Sequence, residues 1–415
     1  MINRESRPRC PRRVFVNRFF DPDQSATSQM LTDLARALAA RGFDVHVVCS
    51  RQLYDDPDAM LPPRETCAGV VVHRVATTRC GRTRLFGRAV DYASFYLSAI
   101  WALLAILRRG DVLICKTDPP LMSVPAAFIA AWRRAVLVNW QQDVFPEVAS
   151  HLGANPLPRA LDDLLRRMRD WSLRRAKVNV LIGSRMVDYF AARGIPPASL
   201  RLIENWADAM AITPKPVAAS SLRARLGLAD KFIVGYSGNL GRAHEFETLL
   251  AAAEVLGSDP SIVFVMIGGG AKMGPLRLAV GERGLRNFRF LPYQPREDLE
   301  DSLAAADAHL VSLLPALEGL IMPSKLYGIL AAGRAVIFIG DPDGDIARVI
   351  RETECGITVG VHAGTDLAQG IRLLQSAPGK CAAMGLRARQ SLEQRYSLDY
   401  AVERWVSVLE PEPHR

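Results

Sequence analysis

The run 318–340 contains several side chains whose types and order suit the binding of an anion. Glu318 and Gly319 form an acidic, flexible approach, and Ser324 stands at a helix start with Lys325 directly after it. A helix start leaves its first N–H groups free, and these can bind a phosphate or a diphosphate. A solvated carboxylate and an ordinary helix cap would fit the same residues, so this run alone leaves both interpretations open.

A second run, residues 238–242, has the composition of a phosphate-binding loop. It follows a strand-like apolar segment and combines Arg242 with two glycines, which permit close approach of the backbone. Another glycine turn, 268–270, also follows a predicted strand. It is not a dinucleotide fingerprint, because Met273 stands where the third glycine is required, and the chain has no Walker A sequence. The sequence therefore predicts phosphate recognition by loops outside these two common motifs.

Candidate residues for a second substrate follow two predicted strands of the first half of the chain. Asp143 and Glu147 come after the strand 135–139, and the polar loop 21–28 comes after the strand 13–17. Ligands of open α/β sheets bind at the carboxyl edge of the strands. We therefore expect these residues to face a substrate, although a solvated turn capped by Asp143 would fit equally well.

The elements that must position these residues alternate between strand-like and helix-like patterns, which is typical of parallel sheets built from βαβ units. The segment 213–221 is rich in Pro and Ser and has neither pattern, so it predicts a linker that starts near Asn205. The sequence thus predicts the α/β class and two successive domains. The predicted divisions are an N-terminal domain, a C-terminal domain and a C-terminal helix that crosses back to the first domain: 1–205, 206–395 and 396–415.

Charge is unevenly distributed along the chain. Residues 1–205 contain 30 Lys and Arg against 19 Asp and Glu, a net charge of +11, whereas the remaining residues have a net charge of −2. A basic half indicates a partner such as nucleic acid, an anionic membrane surface or an acidic substrate. Aromatic residues are not interleaved with the arginine clusters, which argues against nucleic acid.

Two segments could contact a membrane. The segment 158–177 is a basic amphipathic helix, which can lie on anionic lipid or pack its apolar stripe inward. The segment 92–107 has no charged residue but is shorter than a membrane-spanning helix, so we expect it to be buried or to lie at a membrane surface.

Cysteine usage and the N-terminal residues indicate a cytoplasmic protein. The seven cysteines are scattered, with no Cys-x-x-Cys pair and no zinc-ligand spacing. The apolar stretch 14–20 is interrupted by Asn17 and Arg18, unlike a secretory signal. We therefore expect reduced thiols, no metal site and no cofactor.

Five segments of the chain occur in the order found in the retaining GT-B glycosyltransferases of family 4, and the chain resembles that family over nearly its whole length. The branch that it most resembles makes capsule, O-antigen and exopolysaccharide repeat units in bacteria. The resemblance implies two Rossmann-like domains whose parallel sheets face a cleft. The matching segments are 19–23 with 25–27, 143–147, 204–206, 236–241 and 323–327 ahead of 331–333.

The resemblance also implies an activity. A sugar would pass, with retention of its anomeric configuration and without a metal, from a UDP- or GDP-sugar in the second domain to a glycan or lipid-linked acceptor in the first. The basic first domain would lie at the inner face of the cytoplasmic membrane. The implied catalytic residues are Glu318, Asp143, Arg242 and Lys325. The implied donor-binding residues are Gly238, Asn239, Leu240, Gly241, Arg242, Glu318, Gly319, Leu320, Ser324 and Lys325.

Three positions depart from the family pattern. Gly328 stands where a second glutamate usually grips the ribose, and Asn239 and His244 replace the usual Arg and Lys of the glycine loop. Arg242 and Lys325 are then the cations that can face the leaving diphosphate, where one preorganised donor can contribute about 3 kcal/mol. The sequence does not specify whether the donor carries uridine or guanosine.

Alternatives remain open at this point. Asp143 could accept the proton of the acceptor, or it could orient the hydroxyl while the departing phosphate takes the proton. A nucleotide-sugar epimerase of the same fold would convert the donor without any acceptor. A non-catalytic protein that binds membrane surfaces would use only the basic face.

Overall fold

Two β-sheets organise the residues that the computed structural model describes, which are 11–56, 58–80, 85–153 and 158–410. Both sheets are parallel except for one edge strand, and helices cover both faces of each. This arrangement confirms the predicted α/β class with two Rossmann-like sheets. The strands are buried along most of their length, as parallel strands between helices must be.

The first sheet has the strand order β3-β4-β2-β1-β5-β6-β7-β8 among the described residues. The edge strand β3 runs antiparallel to β4 and alternates exposed and half-buried residues. It was not predicted, because a four-residue polar strand has no apolar pattern. The strands are β1 Arg13–Val16, β2 Val45–Ser50, β3 Arg64–Cys67, β4 Val70–Val75, β5 Val112–Lys116, β6 Val136–Gln141, β7 Val178–Leu181 and β8 Leu200–Leu202.

The second sheet has the order β11-β10-β9-β12-β13-β14 and is parallel throughout. The strand β9, which comes first in the sequence, extends to Asn239. Gly238 and Asn239 therefore belong to this strand rather than to the loop that the sequence predicts. The strands are β9 Phe232–Asn239, β10 Ile262–Gly269, β11 Phe288–Leu291, β12 Ala308–Ser312, β13 Ala335–Ile339 and β14 Gly356–Val359.

Helices connect the strands, and a π-helical turn at Leu392–Tyr396 separates the last two helices. The helices are α1 Ala26–Ala40, α2 Leu85–Ile106, α3 Ser123–Arg133, α4 Glu147–His151, α5 Arg159–Arg175, α6 Ser184–Ala192, α7 Ser221–Arg225, α8 Glu247–Val255, α9 Met273–Glu282, α10 Leu299–Ala304, α11 Lys325–Ala331, α12 Asp345–Thr353, α13 Gly364–Ser376, α14 Pro378–Ser391 and α15 Leu398–Leu409.

The first sheet is packed between two helical layers. Helices α2, α3 and α5 pack on one face, where Phe95 and Ile129 contact the apolar cluster that includes Val14. Helices α1, α6 and α15 contribute to a cluster on the opposite face, which continues into the second domain through Leu317 and Tyr327. The two domains therefore share apolar packing as well as the linker.

The last helix, α15, returns to the first domain and packs against α1. Trp405 contacts Trp140 of β6 with ring centroids 4.9 Å apart, and Trp206 stacks on Trp140 at 5.8 Å. All three indoles are buried. Nearby, Glu204 accepts hydrogen bonds from Arg395 and Arg404, at 2.8 and 3.1 Å. These hydrogen bonds link α15 and the π-helical turn before it to the boundary between the domains.

Replacing the aromatic anchor of α15 should destabilise the protein. We expect Trp405→Ala to lower the free energy of unfolding by about 3–5 kcal/mol, because it leaves a cavity beside two other indoles. Urea unfolding followed by circular dichroism measures the change. Trp101→Ala removes an indole that is 73% exposed and should cost less than about 0.5 kcal/mol. Equal effects of the two substitutions would contradict this account of the chain end.

Candidate active site

The carboxyl edges of the two sheets meet between the domains. Asp143, two residues beyond β6, forms an antiparallel backbone bridge with Ile321, which follows β12 by nine residues. The Val144 N–H donates to the Leu320 carbonyl at 2.9 Å. The run from Glu318 and the loop with Asp143, far apart in the sequence, are thus joined directly through their backbones.

Lys325 occupies the space beside Gly238 that a side chain would otherwise fill. A Cβ atom on Gly238, whose φ is +121°, would lie 3.1 Å from Cε of Lys325. The Lys325 ammonium lies 5.3 Å from the ring centroid of Tyr236 and 3.2 Å from Nε2 of His244. Glycine is therefore needed at position 238 both for its backbone conformation and for the path of this lysine.

His244 orients Lys325. Its Nδ1 lies 2.6 Å from the Ser312 carbonyl, which can only accept, so Nδ1 carries the proton and Nε2 accepts from Lys325. Burial and the charge of Lys325 lower the pKa of His244 to about 3, so the ring is neutral. Burial also lowers the pKa of Lys325, to about 8. The sequence showed His244 only as a departure from the family pattern and did not reveal this role.

The glycine turns pack tightly against one another. A Cβ atom on Gly268 would overlap the Gly238 backbone, and one on Gly270 would overlap Leu240. The Leu240 N–H donates to the Gly269 carbonyl at 2.7 Å, and its side chain is buried. β10 therefore uses the N–H of Leu240 and the core holds its side chain, and the role of Leu240 in donor binding stays a prediction. The absence of a side chain at Gly270 allows the turn 268–270 to pack closely against Leu240 in the run 238–242.

Two further cations surround the glycine loop. The Arg242 side chain is exposed, and no ion pair of its guanidinium is found among the described residues. The Lys272 ammonium donates to the His244 carbonyl at 2.5 Å. Lys272 was not singled out from the sequence, although it follows the glycine turn 268–270 closely. Asn239 and Gly241 precede Arg242 in the chain, and the Asn239 side chain is exposed.

Glu318 contacts the start of α12. Its Oε1 accepts a hydrogen bond from the Asp345 N–H at 2.8 Å, and its Oε2 is buried and has no hydrogen-bond partner among the described residues. Burial raises the pKa of Glu318, and the nearby charge of Asp345 acts in the same direction. One carboxylate oxygen therefore remains unpaired beside Gly344, whose missing side chain makes room for it.

Gly319 and Leu320 belong to the domain interface. A Cβ atom on Gly319, whose φ is +76°, would lie 3.1 Å from the Cβ of Arg185 on α6, and Leu320 is buried. The first domain packs against both residues, and their role in lining the donor site stays a prediction. The Asp345 carboxylate reinforces the interface by accepting from the Ser184 hydroxyl at 2.6 Å.

Ser324 precedes α11, as the sequence indicates, but its hydroxyl makes no capping hydrogen bond. Gly328 lies within the same helix. A Cβ atom there would meet only a methyl group of Leu303, at 3.8 Å. Space for a side chain exists at position 328, so packing alone does not require the glycine that replaces the family glutamate.

Asp143 is the acidic residue that faces the cleft. Asp143 is exposed to solvent. Its pKa is nevertheless raised to about 6, because the protein packed around the carboxylate disfavours its charged form; the charge of Asp118 acts in the same direction, and that of Lys116 opposes both. Lys116 is itself buried, its pKa is lowered to about 7, and its ammonium donates to the Thr27 carbonyl at 2.6 Å. A narrow cavity here is lined by Lys116, Gln141, Asp143 and Ser123 among others.

Glu147 does not face a substrate. Its carboxylate is buried, accepts from the guanidinium of Arg169 and also accepts from the Tyr189 hydroxyl. The expectation that Glu147 would contact the second substrate was wrong, because α5 and α6 occupy both of its oxygens.

The loop 21–28 likewise uses its carboxylates internally. Asp21 pairs with Arg36 at 2.8 Å, and Asp23 accepts from the Ser25 N–H at 2.9 Å. Its acidic groups therefore stabilise the loop rather than present free charges. Within the described ranges, no three His, Cys, Asp or Glu side chains are grouped closely enough to hold a metal ion.

Comparison with known proteins identifies relatives over most of the chain. WbjE of Pseudomonas aeruginosa, a probable glycosyltransferase, is 27% identical over 337 residues, which cover 80% of this chain and 82% of WbjE. WcaI of Escherichia coli K12, a putative colanic acid biosynthesis glycosyl transferase, is 26% identical over 368 residues, or 85% of this chain and 89% of WcaI.

A solved structure shows the same fold. HepE of Anabaena, in complex with UDP and glucose, superposes with a TM-score of 0.72 over 96% of this chain and 99% of HepE, at 15% sequence identity. Residues 25–206 match the family described as glycosyl transferase 4-like domain, and residues 220–391 match glycosyl transferases group 1. Because the two matches together cover most of its length, the chain belongs to the group 1 glycosyltransferases of family 4, which have the GT-B fold.

Proposed function

We propose that this glycosyltransferase moves a sugar from a UDP- or GDP-sugar to a glycan or lipid-linked acceptor, with retention of anomeric configuration and without a metal. The reaction belongs to cell-surface polysaccharide biosynthesis and takes place in the cytoplasm, beside the inner face of the cytoplasmic membrane. The observation that carries the proposal is the Lys325 ammonium, which neutral His244 holds beside Gly238 and the carboxyl edge of β9.

The leaving group is a nucleoside diphosphate, which gains negative charge as the bond to the sugar breaks. Lys325 has no carboxylate partner in the described part of the chain, so its charge is available for that group. Arg242 in the glycine loop and Lys272, which donates to the His244 carbonyl, add further positive charge, and Ser324 offers its hydroxyl. One fixed cation of this kind can lower the barrier by about 3 kcal/mol, because it needs no reorganisation during the reaction.

Glu318 is assigned to the donor sugar. A buried carboxylate oxygen without a donor costs about 1–3 kcal/mol, and a sugar hydroxyl that approaches Oε2 would supply the missing hydrogen bond. Gly344, just before α12, lies directly against the Glu318 carboxylate, so a small movement of this end of α12 would let a sugar hydroxyl reach Oε2. The sugar would thereby lie between the second domain and Asp143.

Asp143 is assigned to the acceptor hydroxyl. With a pKa of about 6, the Asp143 carboxyl is still mostly ionised at neutral pH. This pKa is also close enough to the operating pH for the group to accept and release a proton. It either accepts the proton or orients the hydroxyl toward the sugar while a phosphate oxygen takes the proton.

The relatives support the donor and the pathway class. HepE was crystallised with UDP and glucose, which supports a uridine nucleotide in this fold. WcaI is described as a putative colanic acid biosynthesis glycosyl transferase, which supports an acceptor in a surface polysaccharide. A GDP-sugar donor is still open and can be tested directly.

Differential stabilisation by nucleotides tests the donor site. A nucleoside diphosphate at 100 times its dissociation constant should raise the free energy of unfolding by about 2.7 kcal/mol, and we expect this for only one of UDP and GDP. Lys325→Ala should remove most of the effect, whereas Lys380→Ala, an exposed lysine on α14, should not. Stabilisation by neither nucleotide, or full stabilisation of Lys325→Ala, would contradict the proposal.

The pH dependence of nucleotide binding should identify Lys325. Because its pKa is lowered to about 8, Lys325 loses its charge as the pH rises through 8, and the affinity for the diphosphate should fall toward pH 10. Lys325→Arg keeps the charge in this range, so its affinity should stay flat. Titration calorimetry at pH 7 to 10 measures both. The same decline in wild type and Lys325→Arg would show that another group is responsible.

The acid side of the rate profile should report Asp143. Protonation of Asp143 removes its negative charge, so kcat/KM should fall as the pH drops through about 6. Asp143→Asn should be slower by at least tenfold at neutral pH and should lose this dependence. Asp163→Asn, an exposed acid on α5, is the matched control and should behave as wild type. Persistence of the acid limb in Asp143→Asn would exclude Asp143 as its source.

A further inference from the structure

Three helices of the first domain present large apolar side chains to solvent on the same face of the sheet. Trp101 on α2 is 73% exposed, and Trp132 on α3 is 77% exposed. Exposed apolar patches of this kind mark interaction surfaces. The complete set on α2, α3 and α5, called here the docking face, is Leu97, Trp101, Phe128, Trp132, Leu161, Leu164 and Met168.

Contacts between the helices make the docking face continuous. The Arg133 guanidinium at the end of α3 donates to the Leu104 carbonyl of α2, which places Trp132 beside the outer stripe of α2. Phe128 packs on Trp171 of α5 with ring centroids 4.7 Å apart. Met168 lies three residues before Trp171, on the same side of α5. The apolar surface therefore runs across all three helices.

Basic residues border the docking face. Arg108 and Arg109 follow α2, Arg134 follows α3, and Arg175 ends α5, and all four are exposed. Arg175 also lies 5.4 Å from the ring of Trp171. Exposed tryptophans with a basic border match the interface of an anionic bilayer, where indoles lie at headgroup depth and arginines meet lipid phosphates.

Helix α2 could also be considered as a membrane span. Its residues Ala89–Ile106 are long and apolar enough by length and composition. In the fold, however, Phe95, Ala99 and Leu103 on its inner side are fully buried against the sheet. This packing holds α2 along the domain surface, with only its outer stripe available to lipid.

We infer that the docking face binds the surface of an anionic lipid bilayer. The inference rests on the proposed function for its purpose, which is to bring a lipid-linked acceptor to Asp143. Ser123, the first residue of α3, lines the cavity that includes Asp143, and Phe128 lies about 8 Å further along the helix. The sequence suggested two possible membrane contacts, the basic helix α5 and the uncharged segment 92–107 of α2. The fold adds α3 and shows that the outer faces of α2 and α3 have the two exposed tryptophans.

Vesicle binding by the full chain tests the inference. We expect Trp101→Ser with Trp132→Ser to weaken binding to vesicles of phosphatidylcholine and phosphatidylglycerol at least tenfold. The matched control is Leu278→Ser with Leu373→Ser on the second domain, where both leucines are 65% exposed, and it should bind as wild type. Arg108→Gln with Arg109→Gln should weaken binding by about fivefold per residue, and only when phosphatidylglycerol is present.

Several results would overturn the inference. These are no binding by wild type, unchanged binding by the tryptophan variant, or equal loss in the leucine control. Dissociation of a dimer by the tryptophan variant in sedimentation velocity without lipid would show instead that the face joins two copies. Nucleotide stabilisation should be unchanged in all these variants. If wild type binds nucleotide but not vesicles, only the docking face fails; if it binds vesicles but no nucleotide, only the proposed function fails.

Discussion

The proposed donor side of the site depends on one constraint: a half-buried lysine whose hydrogen-bond partner is a neutral ring rather than a carboxylate. His244 is fixed by the Ser312 carbonyl, so it can accept from Lys325 but cannot neutralise it. Burial disfavours the charged ammonium, and this cost is relieved when an anion enters. Gly238 completes the arrangement, because any side chain there would displace the lysine. Backbone conformation at Gly238, the tautomer of His244 and the desolvation of Lys325 together suit the diphosphate site proposed here.

The second feature of the site is that it exists only where the domains meet. Asp143 and Ile321 share a backbone bridge, and Asp345 links Glu318 of its own domain to Ser184 of the other. Glu318, the carboxylate proposed to bind the donor sugar, is therefore linked through Asp345 to the contact between the domains. A change in the angle between them would alter the surroundings of Glu318 and the distance across the cleft at the same time.

The first domain combines two electrostatic environments. At the cleft, Lys116 and Asp143 lie close enough to influence each other, and burial moves both pKa values toward neutrality. On the outer face, Arg108 and Arg134 border exposed Trp101. The excess of positive charge in residues 1–205 indicated an anionic partner, but the sequence could not say which face would meet it, since that depends on how the helices pack.

Local patterns in the sequence determined the alternation of strands and helices, the two domains and the order of the glycine turns, because periodicity and turn residues act over a few positions. They also placed Lys325 at a helix start and Asp143 at the carboxyl end of a strand. Only the tertiary structure decided which of the candidate site residues make contacts within the protein. Leu240 is used by β10, Gly319 by the domain interface, and Glu147 by Arg169, 22 residues away. Each of these outcomes depends on contacts between segments that are distant in the sequence. The spacing of residues along the chain does not show which distant group will contact a given residue.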